Sequence, residues 1–190
     1  MTDGFRPMLE HLREAAGLDR EWFLERYCFP LLLWPQGRDW REDTPLQFET
    51  YKSDYKANAS TDKSTSTESQ TATTLIVEIR QQATSTPTNM IYVGRAADND
   101  IVLADHTVSK LHAYFLPAEK GGSYQIVDAN STNGTMLNNR RLVPYQNHSI
   151  FNGDLIRFGP AIQMVYLSPE GFYELVQKLP QAGGEASANK

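Results

Sequence analysis

Apolar residues in the first 40 positions follow a helical spacing. Four of them recur at i, i+3, i+4 and i+7 and share one face of a predicted helix: Phe5, Met8, Leu9 and Leu12. Gly17 can end this helix, and Asp19 can cap a second helix that Pro30 ends or kinks. The second helix carries three aromatic residues on its apolar side: Trp22, Phe23 and Tyr27. Residues 1–40 are therefore predicted to form a short helical segment that packs against another surface.

The polar stretch that follows has a different character. Residues 57–74 are almost wholly small and polar, with many serines and threonines. Such a stretch cannot bury enough apolar area to offset the entropy that is lost when the chain is ordered. We therefore expect residues 41–74 to form a disordered, Ser/Thr-rich linker.

From Thr74 onward, short β-prone runs alternate with turn residues at a spacing of about 8–12 residues, which is typical of an all-β sandwich. The pattern predicts strands over residues 75–79, 90–94, 101–103, 111–117, 124–128, 135–137, 141–142, 154–158 and 162–167. Asn133-Gly134 and Asn152-Gly153 mark turns. Residues 75–167 are thus one predicted domain.

The last 23 positions, residues 168–190, predict a helix and a loose tail. Ser168 can cap the helix, and Pro169 suits its first turn. Four apolar residues share one face of this helix: Phe172, Leu175, Val176 and Leu179. We therefore expect an all-β sandwich with a helical segment before it and a helix after it.

Composition narrows the classes of function. The formal net charge is −5, and broad nucleic-acid binding requires a basic face. The longest apolar stretch, residues 28–34, is too short to span a bilayer, and the N-terminus lacks a signal-peptide pattern. The single cysteine, Cys28, permits no internal disulfide and no thiolate-based zinc site, and its apolar neighbours predict a packed core thiol. We expect a cytoplasmic protein without cofactor or metal that binds neither nucleic acid nor membranes.

Three motifs with polar or charged side chains lie in predicted loops. Gly94-Arg95 places an arginine at the end of a strand, and Ser109-Lys110-Leu111-His112 lies where a loop enters a strand. Residues 128–138 form a turn rich in Asn, Ser and Thr, which bond readily to nearby backbone. Taken singly, each motif has an ordinary structural explanation, namely a surface arginine, a strand start and a well-formed hairpin.

The pair Ser109 and His112 has two chemical interpretations. The two residues could be a nucleophile and its base, or Ser109 could donate a hydrogen bond while His112 holds the loop. A serine hydrolase needs a sharp nucleophile turn, an oxyanion hole and an acid behind the histidine. Ser109 lies between Val108 and Lys110, so no Gly-x-Ser-x-Gly turn is present. The second interpretation is favoured, and we expect no enzymatic activity.

Taken together, the motifs resemble those of the forkhead-associated (FHA) domain family over about residues 75–167. They follow the family's order and tight spacing: Gly94-Arg95, Asn99-Asp100-Ile101, Val108-Ser109-Lys110, His112, Phe115, Asp128, Ser131-Thr132-Asn133-Gly134-Thr135 and Asn138. The resemblance implies a β-sandwich of about eleven strands whose apical loops bind a phosphothreonine peptide.

The resemblance also implies a role for each motif residue. Arg95 resembles the arginine that pairs with the phosphate, and Ser109 and Thr132 match positions that donate hydroxyl hydrogen bonds to it. Lys110 matches a position that supports the phosphate or the peptide backbone. Asn133 resembles the residue that holds the peptide main chain. Three further residues match positions that shape the loops: Gly94, His112 and Gly134.

The implied partner is a Thr-phosphorylated protein or peptide in signalling, such as a substrate of a Ser/Thr kinase. Threonines of the protein's own linker are a second possible source of phosphate, with Thr61, Thr65 and Thr67 best placed to reach the site. An alternative from another class is a scaffold in which the sandwich only packs and the N-terminal helices bind a partner independently of phosphate. Three tryptophans favour this alternative: Trp22, Trp34 and Trp40.

Overall fold

The computed structural model describes residues 4–36, 74–82, 89–117 and 124–179. The predicted linker lies outside the described residues except for Thr74, and so do Trp40 and the predicted C-terminal tail from residue 180 onward. Thr74 is not linker, because it is the first residue of a strand and is buried.

Two sheets, of seven and five strands, form a sandwich in the described part of the chain. The strands are β1 (Arg6–Pro7), β2 (Leu31–Pro35), β3 (Thr74–Glu78), β4 (Ile91–Gly94), β5 (Ile101–Val102), β6 (Ala113–Pro117), β7 (Tyr124–Asp128), β8 (Thr135–Leu137), β9 (Arg140–Arg141), β10 (His148–Ile150), β11 (Leu155–Phe158) and β12 (Ile162–Leu167). The seven-stranded sheet has the order β1-β3-β2-β12-β11-β8-β9, and the five-stranded sheet has the order β10-β7-β6-β4-β5. The predicted sandwich is confirmed, and the nine predicted strands differ from those observed by at most two residues at either end.

Three helices complete the described fold: α1 (Met8–Ala15), α2 (Arg20–Arg26) and α3 (Pro169–Lys178). Two predicted caps are present, because Asp19 accepts a hydrogen bond from the N–H of Trp22 at 2.9 Å and Ser168 accepts one from Gly171 at 3.0 Å. Gly17 follows α1 with φ +83°, a conformation that suits glycine after a helix. None of the described helices is both long and apolar enough to cross a membrane.

Strand β2 corrects the prediction that the first 40 residues are helical. It lies between β3 and β12, with Leu33 opposite Ile76 on one side and Val165 on the other. Leu32 faces the core between the two sheets, whereas Leu31 and Leu33 face a second core on the outer side. A strand that is buried on both faces has a continuous apolar run, and periodicity does not distinguish such a run from a buried helix.

The second core explains where the helices lie. The outer face of the seven-stranded sheet is covered by side chains of α1, α2 and α3, including Met8, Phe23 and Phe172. The rings of Phe23 and Phe172 are 5.5 Å apart, and the contact between α2 and α3 joins the two ends of the chain. The N-terminal segment is therefore packed as part of the sandwich.

Three details of the N-terminal segment were predicted wrongly. Trp22, on α2, is 62% exposed. On α1, Leu9 is 39% exposed while His11 and Ala15 are buried, so the buried face of α1 is rotated from the predicted one. The contacts of α1 with α2 and the sheet determine which face is buried, and these contacts cannot be inferred from the apolar pattern of the helix alone. Cys28 is exposed rather than packed in the core, because it lies in the turn between α2 and β2.

Two other strands were missed, for simple reasons. β1 has two residues, and β10 has one buried apolar residue, Ile150, so neither gives a periodic signal. β10 is at the edge of the five-stranded sheet and is held there by backbone pairing with β7, with little burial of its own side chains. These strands depend on their neighbours and not on their own sequence.

Candidate functional site

Three loops meet at one end of the sandwich. They follow β4, β5 and β7, and their backbones are bonded directly to one another. The N–H of Arg95 donates to the carbonyl of Ser109 at 2.9 Å, and Ala96 donates to Lys110 at 3.1 Å. These bonds fix the position of the arginine relative to the serine before any side-chain contact is made.

Gly94 allows the first two loops to approach closely. A β-carbon at this position would lie 2.2 Å from the carbonyl oxygen of Lys110, which is backbone and has little freedom to move. Asn99, which is buried, donates its side-chain N–H to the carbonyls of Lys110 at 2.7 Å and Ala96 at 2.8 Å. Gly94 and Asn99 therefore both lie against the Lys110 carbonyl, at the point where the first two loops meet.

Arg95 is exposed at the rim of this loop cluster. Its Nε donates to the carbonyl of Val108 at 3.1 Å, which holds the stem of the side chain against the second loop. Neither Arg95 nor Lys110, which is also exposed, forms an ion pair with another residue in the ranges the structure describes. Both cations are thus exposed to solvent.

Ser109 and Thr132 bring the second and third loops together. The backbone N–H of Thr132 donates to Oγ of Ser109 at 3.0 Å, and the two side-chain hydroxyls are 3.4 Å apart. Thr132 is exposed and Ser109 is half-buried. The two hydroxyls consequently form a fixed pair of hydrogen-bonding groups next to Arg95.

His112 connects the second and third loops through its two ring nitrogens. It is fully buried, its Nδ1 accepts the N–H of Ser109 at 3.1 Å, and its Nε2 lies 3.2 Å from the carbonyl of Gly134. Since Nδ1 must accept, the proton is on Nε2, which donates to Gly134. Burial lowers the pKa of His112, outweighing the opposite effects of the Gly134 carbonyl and Asp128, so the neutral ring is favoured.

Neither ring nitrogen of His112 contacts the Ser109 hydroxyl, since both are bonded to backbone groups. The Ser109 hydroxyl instead donates towards Thr132. Ser109 and His112 are therefore not arranged as a nucleophile and its base.

Asn133 and Gly134 complete the third loop. The Asn133 side chain donates to the carbonyl of Thr107 at 2.7 Å and is exposed at the edge of the site. Gly134 has φ +81°, which favours glycine, and its carbonyl also accepts the N–H of Gly159 at 3.0 Å. The five predicted binding residues, Arg95, Ser109, Lys110, Thr132 and Asn133, all lie on this loop cluster.

Asp128 organises the third loop but was not among the predicted site residues. Its buried carboxylate accepts the N–H of Ser131 at 3.0 Å, the hydroxyl of Ser131 at 2.7 Å and the hydroxyl of Thr135 at 2.6 Å. Burial by itself raises the pKa of Asp128, but the hydrogen bonds from Thr135 and Ser131 outweigh it and lower the pKa. The signal was in the sequence, because an aspartate followed by Ser and Thr readily forms such turns.

Asp105 plays the same part in the second loop. Its Oδ1 accepts the backbone N–H of Thr107 at 2.7 Å and its hydroxyl at 2.5 Å. These two hydrogen bonds lower the pKa of Asp105. Because the Thr107 carbonyl receives Asn133, the turn at Asp105 helps to place the third loop against the second. The spacing Asp-x-Thr was the available sequence signal.

The assembled site can bind a small oxyanion. Arg95 and Lys110 provide positive charge, Ser109 and Thr132 provide hydroxyl groups, and Asn133 provides an amide at the edge. A guanidinium is planar and matches the oxygens of a phosphate or carboxylate. The site projects from strand ends that the sandwich holds rigidly, so its donors are positioned before a ligand arrives.

Part of the chain is similar to known proteins. Residues 91–159 match the family model described as FHA domain. Over 75 residues the chain is 40% identical to the glycogen accumulation regulator GarA of Mycolicibacterium smegmatis, a match that covers 40% of this chain and 44% of that protein. It is also 40% identical over 75 residues to the oxoglutarate dehydrogenase inhibitor of Corynebacterium jeikeium, covering 40% of this chain and 48% of the relative. The match thus spans less than half the length of each curated relative.

Among solved structures, the chain is similar to Mycobacterium tuberculosis EmbR in complex with a low affinity phosphopeptide. The sequences are 30% identical, and the match covers 42% of this chain and 20% of that chain with a TM-score of 0.37. The matched family region begins at β4 and ends before β12, so β1, β2, β3, β12 and the three helices lie outside it. Within that region the match to the FHA domain model confirms the resemblance seen in the sequence.

Proposed function

We propose that the loop cluster binds a phosphothreonine in a partner protein and makes a protein–protein contact depend on phosphorylation. The observation that carries the proposal is the convergence of Arg95, Ser109 and Thr132 from three loops. The backbone of Arg95 is bonded to Ser109, and the hydroxyl of Ser109 is 3.4 Å from that of Thr132. Arg95 and Thr132 are exposed to solvent, and Ser109 is half-buried between them in this bonding pattern.

The charge of the ligand fits these donors. A phosphothreonine carries nearly two negative charges at neutral pH and three acceptor oxygens. Hydrogen bonds that involve a charged group contribute about 1.5–3 kcal/mol each. Two or three such bonds are enough to make the affinity for a phosphorylated ligand much higher than that for an unphosphorylated one. The net charge of −5 does not oppose this, since local donors decide the affinity of a small pocket.

Residues around the phosphate are proposed to fix the peptide. Lys110 is exposed beside Ser109 and adds a second positive charge. Asn133 is exposed, and its amide is within reach of a peptide main chain once the bond to Thr107 is exchanged. Gly94, His112 and Gly134 are proposed to act indirectly, by holding the loops in the shape described above.

We infer binding without catalysis. In a serine hydrolase the histidine takes the proton of the serine hydroxyl. Here the ring nitrogens of His112 are engaged by the backbone of Ser109 and Gly134. The two curated relatives are named as a regulator and an inhibitor, which supports a regulatory role for this domain.

The proposed partner is a Thr-phosphorylated protein in signalling, in the cytoplasm, for example a substrate of a Ser/Thr kinase. The linker threonines Thr61, Thr65 and Thr67, which lie outside the described residues, are a second proposed source of ligand. A tethered ligand has a high effective concentration where its chain can reach the site. Mass spectrometry of the protein from its host would test this source, and absence of phosphate on the linker would exclude it.

The scaffold alternative has one observation in its favour. Trp22 is 62% exposed on α2, although most of the segment around it is packed against the sheet and α3. A scaffold that uses this surface would bind its partner equally well with and without phosphate. One binding assay with phosphorylated and unphosphorylated ligands therefore distinguishes the two functions.

The deciding experiment is a binding screen of the full chain. A library of peptides with a fixed phosphothreonine and random neutral flanks is compared with the same library carrying threonine. The proposal predicts selective retention of phosphorylated peptides, which are then measured by titration. Equal retention of both libraries, or of neither, would contradict it.

A further inference from the structure

Arg141 lies beside the proposed binding site and was not assigned a role by the sequence. It is exposed at the end of β9, and its guanidinium carbon lies 2.6 Å from the point where a β-carbon of Gly134 would be. The guanidinium thus covers the α-carbon of Gly134, the residue that follows Asn133. It occupies the flank of the site on the Asn133 side.

The register of the seven-stranded sheet explains why Arg141 bends towards the loop. Arg141 is opposite Met136, Met136 is opposite Arg157, and Arg157 is opposite Gln163, so these four side chains form a row on the outer face. The row contains two cations and no acidic residue. Arg157 contacts Met136, so an Arg141 side chain that turned towards Met136 would come closer to the positive charge of Arg157.

Arg141 has no ion-pair partner in the part of the chain that the structure describes. Its guanidinium lies against Gly134, which carries no charge. A free guanidinium of this kind is suited to a carboxylate from outside.

We propose that Arg141 is a specificity residue, which binds an acidic side chain near the phosphothreonine of the ligand. This inference rests on the proposed function and names the class of ligand that the site selects. A peptide held by Asn133 passes next to Gly134, and an extended chain advances about 3.3 Å per residue. An acidic residue within about three positions of the phosphothreonine therefore comes within reach of Arg141.

The neighbouring Arg140 supplies a matched control. It is exposed and carries the same charge, but adjacent strand residues point to opposite faces. It lies opposite Leu137, which packs against the core between the sheets, whereas Arg141 lies opposite Met136 on the outer face. Arg140→Gln and Arg141→Gln change the net charge of the protein equally, so a general electrostatic effect would appear in both.

The experiment uses a phosphothreonine peptide with neutral flanks, taken from the screen above. Aspartate, or asparagine as the neutral match, is placed singly at each of the four positions on either side of the phosphothreonine. Affinities of the full chain, Arg140→Gln and Arg141→Gln are measured by titration in about 0.15 M salt. At one position or more, aspartate is expected to bind about two- to fivefold more tightly than asparagine, as for an exposed ion pair.

That preference should persist in Arg140→Gln and disappear in Arg141→Gln. A preference that survives Arg141→Gln, or no preference at any position in the unchanged protein, would overturn the inference while leaving phosphate binding intact. Failure of the neutral phosphopeptide to bind would instead refute the proposed function and this inference with it. Thermal unfolding of both variants confirms that the fold is unchanged.

Discussion

The hydroxyl oxygen of Ser109 accepts the backbone N–H of Thr132 at 3.0 Å, which joins two loops that are 23 residues apart in sequence. The same oxygen belongs to one of the proposed phosphate donors. Ser109 therefore has two tasks: it fixes the third loop, and it offers its own proton to a ligand. The variants below separate the contributions of loop geometry and direct contact.

Ser109→Ala should lower both the stability of the protein and its affinity for a phosphopeptide. The N–H of Thr132 loses its acceptor, and we expect the free energy of unfolding to fall by about 0.5–1.5 kcal/mol, the usual net value of one hydrogen bond. Affinity for a phosphothreonine peptide should fall by about tenfold or more. Ser149→Ala, at an exposed position of β10, is the control and should change neither quantity. Unchanged affinity in Ser109→Ala would exclude the serine from the ligand site.

Arg95→Ala tests direct contact with little effect on the fold. The residue is exposed, and its side-chain Nε donates to the Val108 carbonyl at 3.1 Å. Loss of one or two charge-assisted hydrogen bonds should raise the dissociation constant of a phosphopeptide by about tenfold to several hundredfold. Arg13→Ala, an exposed arginine of α1, is the matched control for charge. The dissociation constant is measured by titration, and the melting temperature should shift by no more than a few degrees.

Stability should fall as pH decreases from about 7 to 5.5, because of buried histidines. Burial lowers the pKa of His112 below the ordinary value of 6.5, so the unfolded chain binds its proton more readily than the folded chain. The stabilisation is fully present above pH 6.5 and is lost as pH falls from there towards the folded pKa. His11 is also buried, and burial lowers its pKa in the same direction. Thermal unfolding across this range measures the sum.

The variant His11→Phe separates the two histidines. It retains His112, so part of the pH dependence should remain, and a flat profile in this variant would contradict the assignment to His112. The aspartates do not interfere in this window. The pKa of Asp128 and that of Asp105 are lowered from 3.8, so their contributions are lost below about pH 4.

Leu32→Ala tests whether β2 belongs to the domain. Leu32 is fully buried in the core between the sheets, and removal of its side chain should cost about 2–5 kcal/mol of unfolding free energy. Leu9→Ala is the control, since Leu9 is 39% exposed, and it should cost less than about 1 kcal/mol. Chemical denaturation of the full chain gives both values. Equal small effects would mean that the N-terminal strand is not part of the cooperative unit.

Much of the sandwich could be predicted from local patterns. The nine strands predicted between residues 75 and 167 alternate with turn residues, and the ends of each were predicted within two residues, although β10 was missed. The strand Leu31–Pro35 was missed because its three leucines are buried on both faces, and such a run has no strand periodicity. Trp22 was misplaced because apolar character does not determine which face of a short helix meets a neighbour.

The sequence by itself determined which residues the three loops carry and in which order, because loop motifs such as Gly94-Arg95 and Ser131-Thr132-Asn133 have side chains and backbone requirements that are local. Tertiary structure alone decided how these groups meet: the Ser109–Thr132 bond, the tautomer of His112 and the position of Arg141 over Gly134. The first two contacts join loops that are 23 and 22 residues apart in the chain, and the third depends on the pairing of β8 with β9. Their distances depend on how the sheets pair, and pairing is set by burial on both faces rather than by local propensity.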